Sequence, residues 1–273
     1  MPTPDATEKL KATRYVRDMF AAVSPRYDLL NHLLSAGLDR RWRDRAAAEA
    51  LRVEPGGMPE PPLPGHAPQE SEACPRVLRR GHATPVILDV CTGTGDLAMA
   101  ILRRRGGARV IGCDFCRPML ARAAAKFARA RLARRVTLLE ADALALPVAD
   151  ASVDAVTCAF GLRNLADPRR GLAEMRRVVR PGGRVVLLEF HWMRGPGALD
   201  GAFALYFRRI LPRLGAWVCG ADLGGYAYLV ASIDAFGPAA RVAAMLQEAG
   251  LRDVRARPLP GGIASVFVAA RAE

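Results

Sequence analysis

The chain has 273 residues, of which 51% are hydrophobic, and it carries a formal net charge of +13. This length suits one large domain with additions or two small domains, and the apolar content supports a substantial core. A nucleic-acid or anionic-membrane partner would fit the charge. However, only three of the 40 basic residues are lysines, and so much Arg beside abundant Ala and Gly is typical of a GC-rich coding bias.

Cysteines and terminal residues favour a reducing compartment. The N-terminal residues include charges and no apolar core, so no secretory signal is predicted. Four of the six cysteines fall in or at the ends of predicted strands, where free Cys behaves as a small buried hydrophobe. Cys113 and Cys116 have the spacing of a redox or metal pair, but no second pair accompanies them. We expect a cytoplasmic protein without a bound metal.

Three regions follow one another along the chain. Residues 1–52 are predicted to form an N-terminal helical segment, a candidate lid. Residues 53–85 are rich in Pro and Gly, so they are predicted to form a flexible insertion without a packed element. From residue 86 to 273, strands and helices alternate, which predicts a parallel sheet. Within this domain, residues 192–238 are predicted to form a helical cap over the substrate.

The predicted elements of the last region can be placed individually. Helices are expected at 96–105, 118–132, 168–179 and 239–249, and strands at 86–91, 109–114, 135–140, 153–158, 184–190, 253–257 and 263–270. The turn at 258–262 separates the last two strands and predicts an antiparallel edge. Residues 214–233 carry one charge, Asp222, over a length that could cross a bilayer. Four glycines make this stretch a poor continuous helix, so no transmembrane helix is predicted.

A glycine-rich turn organises the sheet. Apolar residues 86–88 lead to Asp89, and the turn at Gly93 and Gly95 precedes a predicted helix that starts at Asp96. Strand, turn and helix are the first unit of a doubly wound α/β sheet, whose ligand crevice lies at the carboxyl end of the strand. Two carboxylates would repel a pyrophosphate, whereas they suit a ligand with a cationic centre and a ribose. D-x-x-x-G-x-G-D resembles the first motif of class I S-adenosylmethionine-dependent methyltransferases, which have a Rossmann-like, mostly parallel seven-stranded sheet with an antiparallel edge strand.

Carboxylates also end the next two strands. Asp114 lies about 20 residues past the turn, where an acidic side chain typically accepts both ribose hydroxyls. Asp142 and Ala143 follow the third strand, where such enzymes usually hold the exocyclic amine of adenine. Each Asp alone is a common turn residue, but three at successive strand ends indicate one site. The predicted residues for binding S-adenosylmethionine are Asp89, Gly93, Thr94, Gly95, Asp114, Asp142, Ala143 and Phe160.

After the fourth strand come Phe160, Gly161, Leu162, Arg163 and Asn164. Enzymes that methylate base amines typically carry an Asn/Asp-Pro-Pro-aromatic turn here, and its lack disfavours a nucleic-acid substrate. Arg163 and Asn164 would instead place a cation and an amide beside the methyl donor, where they can stabilise a phenolate-type oxyanion. The alternative is that Arg163 pairs with a surface carboxylate.

Several further motifs carry a family resemblance over nearly the whole chain outside the insertion. The chain resembles the ubiquinone/menaquinone biosynthesis C-methyltransferases in Tyr27-Asp28-Leu29-Leu30-Asn31, Ser35-Ala36-Gly37, Arg40-Arg41-Trp42, the 160–164 segment, residues 177–183, residues 188–190 and the 206–233 stretch. The resemblance implies methyl transfer from S-adenosylmethionine to a ring carbon of a polyprenylated quinol, either a demethylmenaquinol or a methoxylated benzoquinol. Arg163 and Asn164 would then stabilise the oxyanion, and Tyr27 and Asp28 would orient the ring.

The prenyl chain of such an acceptor implies contact with the inner face of a membrane. We expect Arg208, Arg209 and Arg213 to face anionic lipid there. Departures from the family pattern occur at Leu30, Asp39 and His191, where Met, His and Ser are usual. Three alternatives stay open: a methyltransferase of the same fold with another lipophilic or phenolic acceptor, a basic nucleic-acid-binding protein on this fold, and a nicotinamide-linked dehydrogenase.

Overall fold

The structure is a computed structural model, and it describes residues 13–35, 37–52, 84–191 and 224–273. Most of the predicted insertion, the first part of the predicted cap and the three arginines expected to face lipid lie outside the described residues. In the described ranges, no helix combines the length and apolar character needed to span a membrane.

A seven-stranded sheet forms the centre of the molecule, as the sequence predicts. Its strands are β1 (Val86–Val90), β2 (Arg109–Asp114), β3 (Val136–Glu140), β4 (Val153–Ala159), β5 (Val179–Phe190), β6 (Leu251–Pro258) and β7 (Ala264–Arg271). Their order is β3-β2-β1-β4-β5-β7-β6. The first five strands are parallel, while β7 runs antiparallel to both β5 and β6. The reversed strand therefore lies one place inside the edge formed by β6.

Helices cover both faces of this sheet. They are α1 (Thr13–Val23), α2 (Tyr27–Leu34), α3 (Leu38–Ala50), α4 (Asp96–Arg104), α5 (Arg117–Arg129), α6 (Pro168–Val178), α7 (Gly224–Phe236) and α8 (Ala239–Glu248). Short 3-10 turns occupy Ser24–Arg26, Ala133–Arg135 and Leu162–Asn164. The start of α6 is capped by Asp167, whose carboxylate accepts hydrogen bonds from two backbone N–H groups of the first turn.

The central strand β1 is buried on both faces, which explains its continuous apolar sequence. Ile87 belongs to the core on one face and Leu88 to the core on the other. Trp42 of α3 is fully buried in the first core, and its indole N–H donates to the carbonyl of Pro260 at 3.1 Å. The third helix of the predicted N-terminal segment is therefore part of the core that packs against the sheet.

One element boundary differs clearly from the prediction. The predicted helix at 168–179 and strand at 184–190 leave residues 180–183, an Arg-Pro-Gly-Gly run, to end the helix and lead into the strand, yet the structure includes them in β5. Gly182 has a φ of +70°, and the pairing of β4 with β5 shifts register at this point. A side chain at Gly183 would meet the carbonyl of Asp154 at 2.7 Å. The glycines thus allow an irregular strand entry that resembles a helix terminator in sequence.

Candidate functional site

The glycine-rich turn after β1 adopts the conformation that its sequence requires. Gly93 and Gly95 have φ values of +55° and +83°, in the left-handed region that favours glycine. A Cβ atom at Gly95 would lie 2.8 Å from Cζ of Phe127 in α5. Gly95 is therefore needed both for the turn and for the close approach of α5 to it.

Asp114, at the end of β2, holds the turn from the neighbouring strand. One carboxylate oxygen accepts a hydrogen bond from the backbone N–H of Gly93 at 2.8 Å, and the other accepts from the N–H of Cys116 at 2.9 Å. Burial raises the pKa of Asp114 to about 6, against the lowering effect of these backbone hydrogen bonds. Asp114 thus links the end of β2 to the glycine-rich turn that follows β1.

Asp89 lies beneath the turn. Its two oxygens accept hydrogen bonds from the hydroxyls of Thr92 and Thr157, each at 2.6 Å, and it is 1% exposed. Burial raises its pKa to about 6, although both hydroxyls and the nearby Arg43 lower it. Asp89 is thus a fully buried carboxylate that supports the turn from below.

Two adjoining clefts open at the carboxyl ends of the strands. The larger encloses about 750 Å³, including its open mouth, and the smaller about 300 Å³. Among the predicted residues, the larger cleft is lined by Tyr27, Gly93, Asp114, Asp142, Ala143, Phe160 and Asn164. The smaller one is lined by Tyr27, Asp89, Gly93 and Thr94, together with Arg43 and Asp96. The structure therefore brings together most of the residues that the sequence analysis selected.

Arg163 lines neither cleft. It is 6% exposed, and its guanidinium donates to Glu189 at 2.7 Å and to the carbonyl of Phe160 at 2.6 Å. A third, longer contact at 3.3 Å reaches the hydroxyl of Ser232 in α7. Arg163 does pair with a carboxylate, but that carboxylate is buried rather than on the surface. Arg163 is the sequence neighbour of Asn164, which does line the larger cleft.

Asn164 lines the larger cleft, where two hydrogen bonds hold its side-chain amide in place. Its amide nitrogen donates to the carbonyl of Phe160 at 3.0 Å, and its amide oxygen accepts from the phenol of Tyr228 at 2.9 Å. Burial raises the pKa of the Tyr228 phenol, so it remains a proton donor at neutral pH. Helix α7, in the described part of the predicted cap, is thereby attached to the turn at residues 162–164.

The two candidates in α2 have different surroundings. Tyr27 lines both clefts, and burial raises the pKa of its phenol, while a hydrogen bond with Asn31 lowers it. Asp28 lines neither cleft in the described part of the chain. Its carboxylate accepts from the Thr94 hydroxyl at 2.6 Å and pairs with Lys126 at 2.6 Å.

Two of the three departures from the family pattern are accommodated by local partners. Asp39 is 2% exposed, and its carboxylate contacts His32, Ser35 and Arg43, with the Arg43 charge and these hydrogen bonds holding its pKa below the usual value. His191 contacts the Ser265 hydroxyl at 2.7 Å and faces β7, so it is not part of either cleft wall.

Sequence reasoning missed the partners Arg43, Lys126 and Glu189. Glu189 stands inside a family motif but has no assigned role until its contact with Arg163 is known. Lys126 carries a signal of its own, because lysine is rare in a chain that otherwise uses arginine. No sequence spacing shows that Arg43 of α3 reaches the smaller cleft.

Comparison with known proteins places this chain in a family. The model of the ubiE/COQ5 methyltransferase family matches residues 7–271. A demethylmenaquinone methyltransferase of Deinococcus radiodurans is 43% identical, and the match covers 97% of this chain and 96% of that protein. The demethylmenaquinone methyltransferase of Thermus thermophilus is 44% identical over 93% of this chain and the whole of that protein.

Solved structures agree on the fold. A protein of Methanococcus maripaludis assigned as an S-adenosylmethionine-dependent methyltransferase superposes with a TM-score of 0.56 at 16% identity, covering 92% of both chains. The CurJ carbon methyltransferase gives a TM-score of 0.52 at 19% identity, over 70% of this chain and 49% of that one. The chain belongs to the ubiE/COQ5 methyltransferase family and is an S-adenosylmethionine-dependent methyltransferase.

Proposed function

We propose that the chain methylates a ring carbon of a demethylmenaquinol to give a menaquinol, with S-adenosylmethionine as donor. The two relatives above carry the name of this activity. The observation that carries the proposal is the pair of adjoining clefts, whose walls combine the carboxylates of Asp89 and Asp114 with the phenol of Tyr27 and the amide of Asn164. One end of the site suits a charged nucleoside, and the other suits a phenolic ring.

The residues present fit the donor. Asp114 keeps unused lone pairs after accepting its two backbone hydrogen bonds, so it can also accept from ribose hydroxyls. Asp142 accepts from the N–H of Leu144 through one oxygen, and its other oxygen can take the exocyclic amine of adenine. Phe115 and Met119 supply apolar wall for the adenine ring. The predicted roles of Gly93, Thr94, Gly95, Ala143 and Phe160 remain part of this proposal.

When bound, S-adenosylmethionine supplies an electrophilic methyl carbon next to a positive sulfur. The chain's own task is to place a quinol ring carbon in line with it and to stabilise the oxyanion that forms when a ring hydroxyl releases its proton to solvent. The ring carbon gains the methyl group, S-adenosylhomocysteine is the leaving group, and the hydrogen of that carbon is then lost to solvent as the ring becomes aromatic again. Asn164 lies in the cleft wall, and the buried Arg163, paired with Glu189 at 2.7 Å, donates to the same Phe160 carbonyl as the Asn164 amide and so helps to position it. Because the pKa of Tyr27 is raised, its phenol stays protonated and can donate a hydrogen bond to the oxyanion.

Because the proposed acceptor carries an apolar prenyl chain, the proposal includes a location at the membrane. We infer that the chain works at the cytoplasmic face of a membrane, with Arg208, Arg209 and Arg213 toward anionic lipid. In this arrangement, the N-terminal segment at residues 1–52 contributes a lid through the part that precedes the core helix α3, residues 192–238 contribute a cap, and residues 53–85 a surface insertion. The contacts from α7 to Arg163 and Asn164 support the cap, because they join it to the oxyanion side of the site.

A methyl-transfer assay tests the acceptor. Labelled S-adenosylmethionine is offered with chemically reduced demethylmenaquinol and, in parallel, with the demethylated methoxy-benzoquinol. Label in the naphthoquinol supports the proposal, and label in both quinols extends it, as expected from a Geobacter sulfurreducens relative named ubiquinone/menaquinone biosynthesis C-methyltransferase UbiE, which is 37% identical. Label in neither quinol, with donor binding intact, contradicts it.

A variant tests the assigned chemistry. Arg163→Ala is expected to lower kcat at least about tenfold, the effect of losing one charge-assisted hydrogen bond that positions the cleft wall, with little change in donor affinity. Asp142→Ala is the matched comparison, because it should weaken donor binding instead. If Arg163→Ala loses donor binding and keeps kcat, the oxyanion role is wrong.

A further inference from the structure

Lys126 joins three parts of the molecule at one point. Its ammonium nitrogen lies 2.6 Å from Asp28 of α2, 2.6 Å from Asp96 at the start of α4, and 3.0 Å from the hydroxyl of Thr94 in the glycine-rich turn. Thr94 in turn donates its hydroxyl hydrogen to the second oxygen of Asp28 at 2.6 Å. Both oxygens of Asp28 and one oxygen of Asp96 are thereby used within the cluster, whereas Oδ2 of Asp96 is buried without a hydrogen-bond partner among the described residues.

The chemistry of the cluster requires a lysine. An ammonium group has three N–H donors on one atom, and Lys126 has three acceptors within 3.0 Å. A guanidinium is a flat fork whose donors are spread over three nitrogens, so it cannot converge on three acceptors around one point. Lys126 is the single lysine among the residues that the structure describes, in a chain with 40 basic residues.

The cluster lies beside the two clefts that are proposed to bind the donor. Thr94 and Asp96 line the smaller cleft, and Tyr27, the residue before Asp28, lines both. Asp28 itself contacts neither cleft in the described ranges, and both its oxygens are occupied by Thr94 and Lys126. Asp28 is thus placed to fix the position of Tyr27 rather than to touch the acceptor.

We propose that Lys126 and Asp28 are positioning residues that fasten α2 to the glycine-rich turn and so hold Tyr27 over the donor. The three charged side chains are 24–34% exposed, so the cluster can open without burying an unpaired charge. Opening would release α2 from the turn while α3, with the fully buried Trp42, stays in the core. The inference concerns the donor side and does not depend on the identity of the acceptor.

Calorimetric binding of S-adenosylhomocysteine tests the proposal. Lys126→Met and Asp28→Asn should each weaken binding about tenfold, the effect of losing one charge-assisted hydrogen bond at a partly exposed site. The double variant should lose little more than either single one, because the two residues act as one unit. Arg122→Met, an exposed change on the same helix, is the control and should bind normally. Wild-type affinity in Lys126→Met, or losses that multiply in the double variant, would overturn the proposal.

Amide hydrogen exchange of the ligand-free protein gives an independent readout. Exchange in α2 should be faster in Lys126→Met than in the wild type, with α3 unchanged and the melting temperature nearly the same. Lys126→Arg keeps the charge but not the converging geometry, so it should behave like Lys126→Met. Unchanged exchange in α2, or full affinity for S-adenosylhomocysteine in Lys126→Arg, would show that the contacts do not position the helix.

Discussion

Replacing Asp89 by Asn should make the ligand-free protein more stable. The carboxylate is 1% exposed, and burial raises its pKa to about 6 from an ordinary value of 3.8. Its two partners are hydroxyl groups, those of Thr92 and Thr157. A hydroxyl can accept as well as donate, so an amide of the same shape keeps both hydrogen bonds after one hydroxyl rotates.

The size and sign of the effect follow from proton binding. Between pH 4 and pH 6, folded Asp89 retains a proton that the unfolded chain has released, so the free energy of unfolding falls as pH rises. A pKa difference of about 2 corresponds to about 3 kcal/mol at pH 7. Asp89→Asn removes this penalty. The variant should match the wild type below pH 4 and exceed it by about 3 kcal/mol at pH 7, or about 6 °C in Tm.

Asp114→Asn is the matched control. Asp114 has the same raised pKa, but its partners are the backbone N–H groups of Gly93 and Cys116, which can only donate. An amide NH₂ facing one of them leaves a buried donor without an acceptor, which costs about 1–3 kcal/mol and offsets the relief of charge burial.

Thermal unfolding at pH 4, 5, 6 and 7 separates the two variants. Asp89→Asn should gain stability with rising pH relative to the wild type, and Asp114→Asn should gain much less at pH 7. A stability difference for Asp89→Asn that does not change with pH, or a loss at pH 7, would refute the assignment of a raised pKa to this buried carboxylate.

Three further changes have defined outcomes. Gly95→Ala should destabilise the fold by more than about 1 kcal/mol in denaturant unfolding and weaken donor binding, because its φ is +83° and its Cβ would meet Phe127 at 2.8 Å. Asp167→Ala should lower stability by about 1 kcal/mol by uncapping α6, with kcat unchanged. Tyr228→Phe should lower stability by about 1 kcal/mol and reduce turnover of the quinol more than donor affinity, since it frees the amide of Asn164 to rotate.

Much of the fold follows from sequence because its signals are local. Strands buried on both faces give short apolar runs, and carboxylates at their ends mark one edge of the sheet. The strand entry at residues 180–183 is the exception, because Pro and Gly are typical of both a helix end and an irregular strand. Strand pairing decides between these conformations, and it depends on residues distant in sequence.

Site contacts are less predictable for the same reason. The sequence predicts Asp28 as a group that orients the acceptor, yet both of its oxygens are used by Thr94 and Lys126, which come from a different turn and helix. Arg163 is predicted beside a surface carboxylate or facing the oxyanion, and its buried partner Glu189 comes from β5. Only the packing of elements brings these side chains together, so local patterns cannot assign their partners.

The charge distribution explains why a stabilising change should harm function. Asp89 and Asp114 are buried, each raises the free energy of the folded state when ionised, and the charge of Asp114 further raises the pKa of Asp89. On the acceptor side, the charge of Arg163 is balanced by Glu189. Negative charge is thus concentrated under the donor turn, and the nearby Arg43 offsets that of Asp89 only in part. A cationic ligand bound there lowers the free energy of both carboxylates, so part of its affinity comes from relieving a penalty already present in the ligand-free fold. Asp89→Asn removes the penalty in advance, and it should weaken binding of the sulfonium donor more than binding of the uncharged thioether product.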